Sequence, residues 1–324
     1  MTSYTWAANG TTYTQPGTYI HTGGGNTTPG APQTFSYTGS MQNYTVPAGV
    51  TSITIDAYGA QGGNNPQYDG GKGAHMSGTF SVTAGQVLDI IVGGQGSPGF
   101  TNSGWTGGGG GGGTGVISSA LPLVIAGAGG GAGHSNAGQD GVTALDGTAG
   151  YGGFAGGVNG ADGSNNNSNT AGGGLGFNSG VPSNGTAYSN PGGWGCGGGG
   201  GGSTTNGHAG GGGGGYSGGG AAWNGGAGGG GSINNGSNTI NVAGVQIGNG
   251  QIVITSSAPA GCPTTDTLIL TFNTNGPTST TVVDTCMTSY TWAANGTTYT
   301  QPGIYIHNGV GNVGGPTTQT FSYT

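Results

Sequence analysis

Seven consecutive glycines at 107–113, with further runs at 197–202, 210–215 and 228–231, constrain this chain more than any other feature. Glycine gives up more backbone freedom on ordering than any other residue. The runs therefore either stay unfolded or pack in a way that side chains would forbid. With 87 Gly among 324 residues, disorder is the default expectation of the composition. Against it stand 14 Tyr, 7 Phe and 5 Trp, together with several alternating β-branched segments that a solvating linker would not carry. Collagen is excluded, because the glycines cluster and do not recur at every third position, and Pro numbers only 14. The remaining way to order polyglycine is the polyproline-II conformation, with three residues per turn and a rise of about 3.1 Å. Without Cβ atoms, such chains can lie side by side and join through backbone N–H and C=O groups. A bundle of this kind is expected from about 93 to 243, with SNNNSNT (164–170) and TTNGH (204–208) serving as turns.

Charge narrows the function classes. Lys72 is the single base, Arg is absent, and all eight acids are Asp, giving a net charge of −7. Nucleic acid is excluded as a partner, because displacing counterions from phosphate needs Lys or Arg. No stretch approaches the apolar length that spans a bilayer, so no membrane insertion is expected. No basic start followed by an apolar block reads as a signal peptide. Catalysis lacks material: there is no Glu, and His21, His75, His134, His208 and His307 are scattered without zinc-ligand spacing. Matches to GxGxxG arise by chance in such a chain and lack βαβ context. The reading is of a protein that is not an enzyme and uses no cofactor. Asp140, Asp146 and Asp162 are candidate calcium ligands, set against the alternative of solvated turn aspartates.

Residues 1–38 return as residues 287–324, with 29 of 38 positions identical and no insertion or deletion. The economical explanation is a tandem array of units about 286 residues long. Met1 is then the counterpart of Met287 and not a natural initiator.

Inside one unit, SYTW (3–6), TTYT (11–14) and TYIH (18–21) read as short antiparallel strands between turn signals. GCPTTDTLILTFN (261–273) supplies a strand far downstream. One small β module split by a long insertion is the preferred reading. Within the insertion, 34–63 gives two or three strands, with Ile53, Ile55 and Ala57 on one face and Thr54, Asp56 and Tyr58 on the other. Segment 78–96 adds two around the TAGQ turn, and 121–130 and 249–259 complete an antiparallel β-sandwich. The expected organisation is 1–33, first part of the small module; 34–260, glycine-rich sandwich; 261–286, closing strands and linker; 287–324, the next repeat.

The block order TFSYTG, VTSITIDAYGAQGG, GTFSVTAGQVLDIIVGGQG, PLVIAGAGGGAG and GQIVITS, spanning 34–256, resembles the glycine-rich domain of anaplastic lymphoma kinase and leukocyte tyrosine kinase receptors and its bacterial relatives. That resemblance implies a tumour-necrosis-factor-like sandwich carrying polyglycine helices. The flanks, VVDTCMTSYTWAANGTTYTQPGIYIH (282–307) and GCPTTDTLILTFN (261–273), resemble the short repeats of giant SprB-like surface adhesins of gliding Bacteroidota. This second resemblance implies small immunoglobulin-like β modules, type IX secretion and an outer-surface location. Asp266-Thr267-Leu268 is similar to the O-glycosylation motif of that phylum, against the reading of an ordinary strand start.

Cys262 and Cys286 can close a loop of 25 residues, worth roughly 3 kcal/mol by chain entropy. Alternatively each pairs with a cysteine of a neighbouring unit. Cys196 has no evident partner and reads as a packed thiol. Trp105, Trp194, Trp223 and Tyr216 punctuate the glycine-rich part, where they either stack on sugar rings at loop tips or cover the flanks of the bundle. The function expected is a repeat unit of a secreted cell-surface filament or adhesin, attaching to surfaces or glycans and serving gliding. Its partners are neighbouring repeats end to end and surface glycans. A purely structural sheath or matrix fibre is the alternative, and ice binding by a flat polyglycine face is a third.

Overall fold

The computed structural model describes residues 4–5, 10–23, 30–100, 106–166, 171–183, 190–204, 207–257, 264–273, 276–284, 290–292, 297–299, 303–310 and 316–323. These residues form strands, one 3₁₀ turn (Phe177–Ser179) and irregular segments, and among them there is no α-helix. In chain order the strands are β1 (Tyr4–Thr5), β2 (Thr12–Tyr13), β3 (Gly17–Gly23), β4 (Gln33–Ser36), β5 (Gln42–Thr45), β6 (Ser52–Tyr58) and β7 (Gly73–Ser81). Next come β8 (Val87–Ile91), β9 (Thr114–Ser118), β10 (Leu121–Ala126), β11 (Gly202–Thr204), β12 (Gly207–Ala209), β13 (Ile233–Asn234) and β14 (Ser237–Gln246). The last are β15 (Gln251–Ser256), β16 (Thr264–Asn273), β17 (Gly276–Asp284), β18 (Tyr290–Trp292), β19 (Thr297–Tyr299), β20 (Gly303–Val310) and β21 (Pro316–Tyr323). The chain divides into two compact units.

One unit comprises Ala31–Val46 and Ser52–Ser256. It holds two antiparallel five-stranded sheets, ordered β14-β7-β6-β15-β4 and β13-β10-β9-β8-β5. The sheets face each other, with β10 against β7 and β6, and β9 against β6 and β15. Alternation builds their interface. In β6, Ile53, Ile55 and Ala57 are buried while Thr54, Asp56 and Tyr58 stay partly open. Ile252 and Ile254 of β15, Leu88 and Ile90 of β8, and Val124 and Ile125 of β10 fill the space between. The 78–96 segment does contain two strands, but they lie in opposite sheets: β7 pairs with β6, and β8 with β5 and β9. The turn between them relies on Gly85, whose φ of +79° suits a residue without Cβ.

The glycine runs pack beside these sheets as buried, hydrogen-bonded segments. Their partners rotate with a period of three. The amides of Gly107, Gly110 and Gly113 donate to the carbonyls of Gly202, Gly199 and Cys196. Those of Gly108 and Gly111 donate to Ala132 and Gly129, and those of Gly109 and Gly112 to Ser97 and Gly94. Each of three neighbours therefore receives every third N–H, at 2.8–3.3 Å. The register is inherited from the sandwich. Gly115 pairs with Ile91 of β8 and Ile125 of β10, and the same antiparallel courses run on through 112 to 94 and 111 to 129. What changes at Thr114 is the repeat, from two residues to three. Glycine permits this by what it lacks: none of the glycines at 107–113 has a positive φ, but a Cβ on Gly110 would fall on the Gly212 carbonyl and one on Gly111 on the carbonyls of Ala60 and Gln61.

The layer has different limits from the composition boundary. The 59–72 connection contributes, with Gly63 donating to Gly109 and Gly62 to Gly71. β9 and β10 interrupt the stretch as sheet strands, and β14 leaves it as an edge strand. Of TTNGH, Thr204 ends β11 and pairs with Gly207 of β12, and residues 205–206 lie outside the described residues.

The other unit comprises Met1–Gly30, Pro47–Thr51 and Ser257–Thr324. Its five-stranded sheet is ordered β20-β21-β17-β16-β3, with β17 and β21 parallel and the remaining pairs antiparallel. β16 pairs with β3 from Thr264↔Gly23 to Leu270↔Gly17, so strands far apart in sequence lie side by side. β1–β2 and β18–β19 are two-stranded ribbons with equivalent registers: Tyr4↔Tyr13 in one copy and Tyr290↔Tyr299 in the other.

Candidate functional site

The turns that end the glycine segments gather the side chains with chemistry. Trp223 is 47% exposed and Tyr151 51% exposed. They are tied together, because the Trp223 amide donates to the Tyr151 carbonyl at 2.8 Å. Phe154 lies nearby: a Cβ placed on Gly152 would meet the Trp223 Cβ and come within van der Waals range of the Phe154 ring. Asn224 follows with φ +52°, and its side-chain oxygen accepts the His208 amide at 3.3 Å. The His134 amide donates to the His208 carbonyl at 3.0 Å. The two imidazole rings come within 5.7 Å, centroid to centroid, at an interplanar angle of 46°. Both residues are half-buried. The Nδ1 atom of His208 is buried without a hydrogen-bond partner. Desolvation, reinforced by His134, holds the His208 pKa below its ordinary value, so its neutral form prevails at neutral pH.

The other aromatic candidates separate by environment. Trp194 is half-buried, with its ring 6.3 Å from that of Tyr37. Tyr216 is half-buried and stacks on Phe177 at 6.3 Å and 25°. These two are half-buried against neighbouring rings, whereas Trp223 and Tyr151 are about half exposed. Trp105, Cys262 and Cys286 lie outside the described residues. Thr267 is in β16, at register with Ile20 of β3 and Val282 of β17, so its motif sits in the middle of a paired strand.

The three aspartates brace separate turns. Asp140 accepts the Lys72 amide at 2.7 Å, and Asp146 accepts the Asn159 amide at 3.2 Å. Asp162 accepts both the Gly176 amide and the Ser179 hydroxyl at 2.7 Å. Among the described residues, no three His, Cys, Asp or Glu side chains gather as a metal-binding group. A separate pair, Asp56 and His75, meets at 2.8 Å on the outer face of its sheet, with Tyr58 stacked on the imidazole at 4.2 Å. Burial, helped by the Asp56 charge, raises the Tyr58 pKa.

Cys196 is fully buried, and its amide and carbonyl are both bonded to Gly113. Burial pushes its thiol up to about 12. A thiol so protonated and enclosed is neither nucleophile nor ligand.

The His134–His208 meeting is the feature that sequence spacing hid, because the two lie far apart in sequence, in the segments GAGHS and NGHAG. The one available signal was that each histidine follows a glycine and lies within about three residues of a glycine run. A scan against protein-family models finds no match, and a search of curated proteins finds none either.

Proposed function

We propose that this chain is a repeat unit of a secreted cell-surface filament or adhesin, in which each unit displays a rigid, nearly uncharged glycine layer tipped by exposed aromatics. One observation carries the reading: the start of the unit recurs after 286 residues and forms the same ribbon register in both copies. Such recurrence suits units joined end to end, with neighbouring repeats as partners and the extracellular surface as the location. The pairing of β16 with β3 supports an immunoglobulin-like small module enclosing the glycine-rich insertion.

The finer fold belongs to the same proposal. The three-residue rotation of hydrogen-bond partners is what polyglycine-II helices require, and it supports a bundle of them on a tumour-necrosis-factor-like sandwich. The bundle has little apolar area to bury and is held by backbone contacts, which suits a chain with nine charged side chains.

Adhesion is assigned to the Trp223–Tyr151 tip, since exposed aromatic faces stack on pyranose rings or adsorb to apolar surfaces. Glycan-array and surface-adsorption measurements on the 324-residue chain test it. Trp223→Ala and Tyr151→Ala are each expected to weaken binding about tenfold, in line with a lost stacking contact of about 1.4 kcal/mol, while Trp194→Ala leaves binding unchanged if the fold is kept. Binding that is indifferent to Trp223 and Tyr151 removes the tip from the proposal. Absence of any binding removes adhesion and leaves a structural fibre.

A further inference from the structure

We propose that His134 and His208 form a binding site for a borderline divalent transition ion, Zn²⁺ or Cu²⁺, at the rim of the glycine layer. Geometry is the first support. Two imidazoles sharing one ion at metal–nitrogen distances of about 2.0–2.1 Å place their ring centres roughly 5–6 Å apart, and here the separation is 5.7 Å. The second support is chemical. His208 Nδ1 is buried and has no hydrogen-bond partner, and an imidazole nitrogen left in that condition carries either an unused lone pair or an unused N–H. An ion converts the lone pair from an uncompensated desolvation cost into a bond.

The backbone holds the pair in place before any ion arrives. The His134 amide is fixed to the His208 carbonyl, and the His208 amide to the Asn224 side chain. Asn65 donates to the Gly133 carbonyl at 2.7 Å, which anchors the residue before His134. Both residues are half-buried, so each keeps part of its surface open to solvent while His208 Nδ1 itself is covered. The donor set selects the metal class: imidazole suits Zn²⁺, Cu²⁺ and Ni²⁺, whereas Ca²⁺ and Mg²⁺ require oxygen ligands. Two protein ligands leave the remaining coordination positions to water, as in open zinc sites. The site does not depend on the filament reading, since it rests on this chain alone.

Zinc chloride and copper chloride titrated separately into the metal-free 324-residue chain test the assignment, followed by isothermal calorimetry and by the imidazole ¹H NMR signals. Saturable one-to-one binding is expected, shifting or broadening the signals of His134 and His208 and leaving those of His21, His75 and His307 in place. His208→Ala and His134→Ala are each expected to weaken binding at least about tenfold, while His75→Ala keeps it. The NMR mapping uses the unaltered chain and stands even if a variant fails to fold. No saturable binding of either ion up to about 1 mM, shifts confined to other histidines, or affinity that survives both substitutions would each overturn the site.

Discussion

Gly110→Ala is expected to destabilise the glycine-rich unit by about 3 kcal/mol or more, the upper end of what overpacking costs. For a unit of this size that lowers the unfolding midpoint by about 10 °C. The reason is positional. A Cβ on Gly110 lands on the backbone carbonyl of Gly212, and a backbone carbonyl in a bonded row cannot swing aside as a side chain can. Moving 212 would strain the hydrogen bond that the Gly212 amide donates to the Gly172 carbonyl and the one that the Gly212 carbonyl accepts from the Gly199 amide. Gly85→Ala is the comparison, because Gly85 has φ +79° and open space around it. Its cost is only the left-handed backbone penalty of about 1 kcal/mol. Thermal unfolding of the two variants separates the effects, and a Gly110→Ala midpoint no lower than that of Gly85→Ala would refute the close-packed layer.

The second large effect is a loss of stability in alkali. The Cys196 thiol is raised from an ordinary 9.0 to about 12 in the folded chain, because burial disfavours the thiolate. Below pH 9 both folded and unfolded chains hold the proton and nothing is lost. Between 9 and 12 the unfolded chain releases it while the folded chain keeps it, so stability falls with rising pH by about 1.4 kcal/mol per unit, approaching about 4 kcal/mol. Tyr44 and Tyr58, also raised by burial, act in the same direction at higher pH. Cys196→Ala isolates the thiol: its denaturation midpoints should fall less steeply with pH by the equivalent of one proton. Parallel slopes for the variant and the unaltered chain would mean that Cys196 meets solvent in the folded state. Iodoacetamide gives an independent reading, with Cys196 expected to resist alkylation until denaturant opens the layer.

The sandwich was legible where periodicity is strong. Ile53, Ile55 and Ala57 alternate with polar neighbours over a whole strand, and burial follows that alternation. Which sheet each strand joins was not legible, since β7 and β8 differ in partners and not in pattern. β9 escaped because TGVIS follows directly on seven glycines, with no turn to mark its start. β14 escaped because it is an edge strand open on both faces, with Ile240 62% and Val242 43% exposed, and so has no buried side to impose a period. Within the runs, identical residues carry no register information at all. The register comes instead from the strands on either side, which fix Gly115 against Ile91 and Ile125. Trp223 was legible as a tip aromatic only in type, and its difference from Trp194 depends on what the fold puts next to each. The His134–His208 pair needed the folded layer itself, because backbone bonds between remote turns create it.

The rotation of hydrogen bonds among three neighbours has a mechanical consequence. A β-sheet can be unzipped, since its outermost strand is held along one side and detaches bond by bond under load. Segment 107–113 is held along three sides, by 94–97, 129–132 and 196–202, and none of these rows can be released without the other two still gripping. Tension reaching the layer is thus shared among rows that must yield together, and an interior segment has no free row of amides on which a foreign strand could seat itself. For a chain with only nine charged side chains, the lack of an open polar edge along this segment is a defence against aggregation built from the backbone alone.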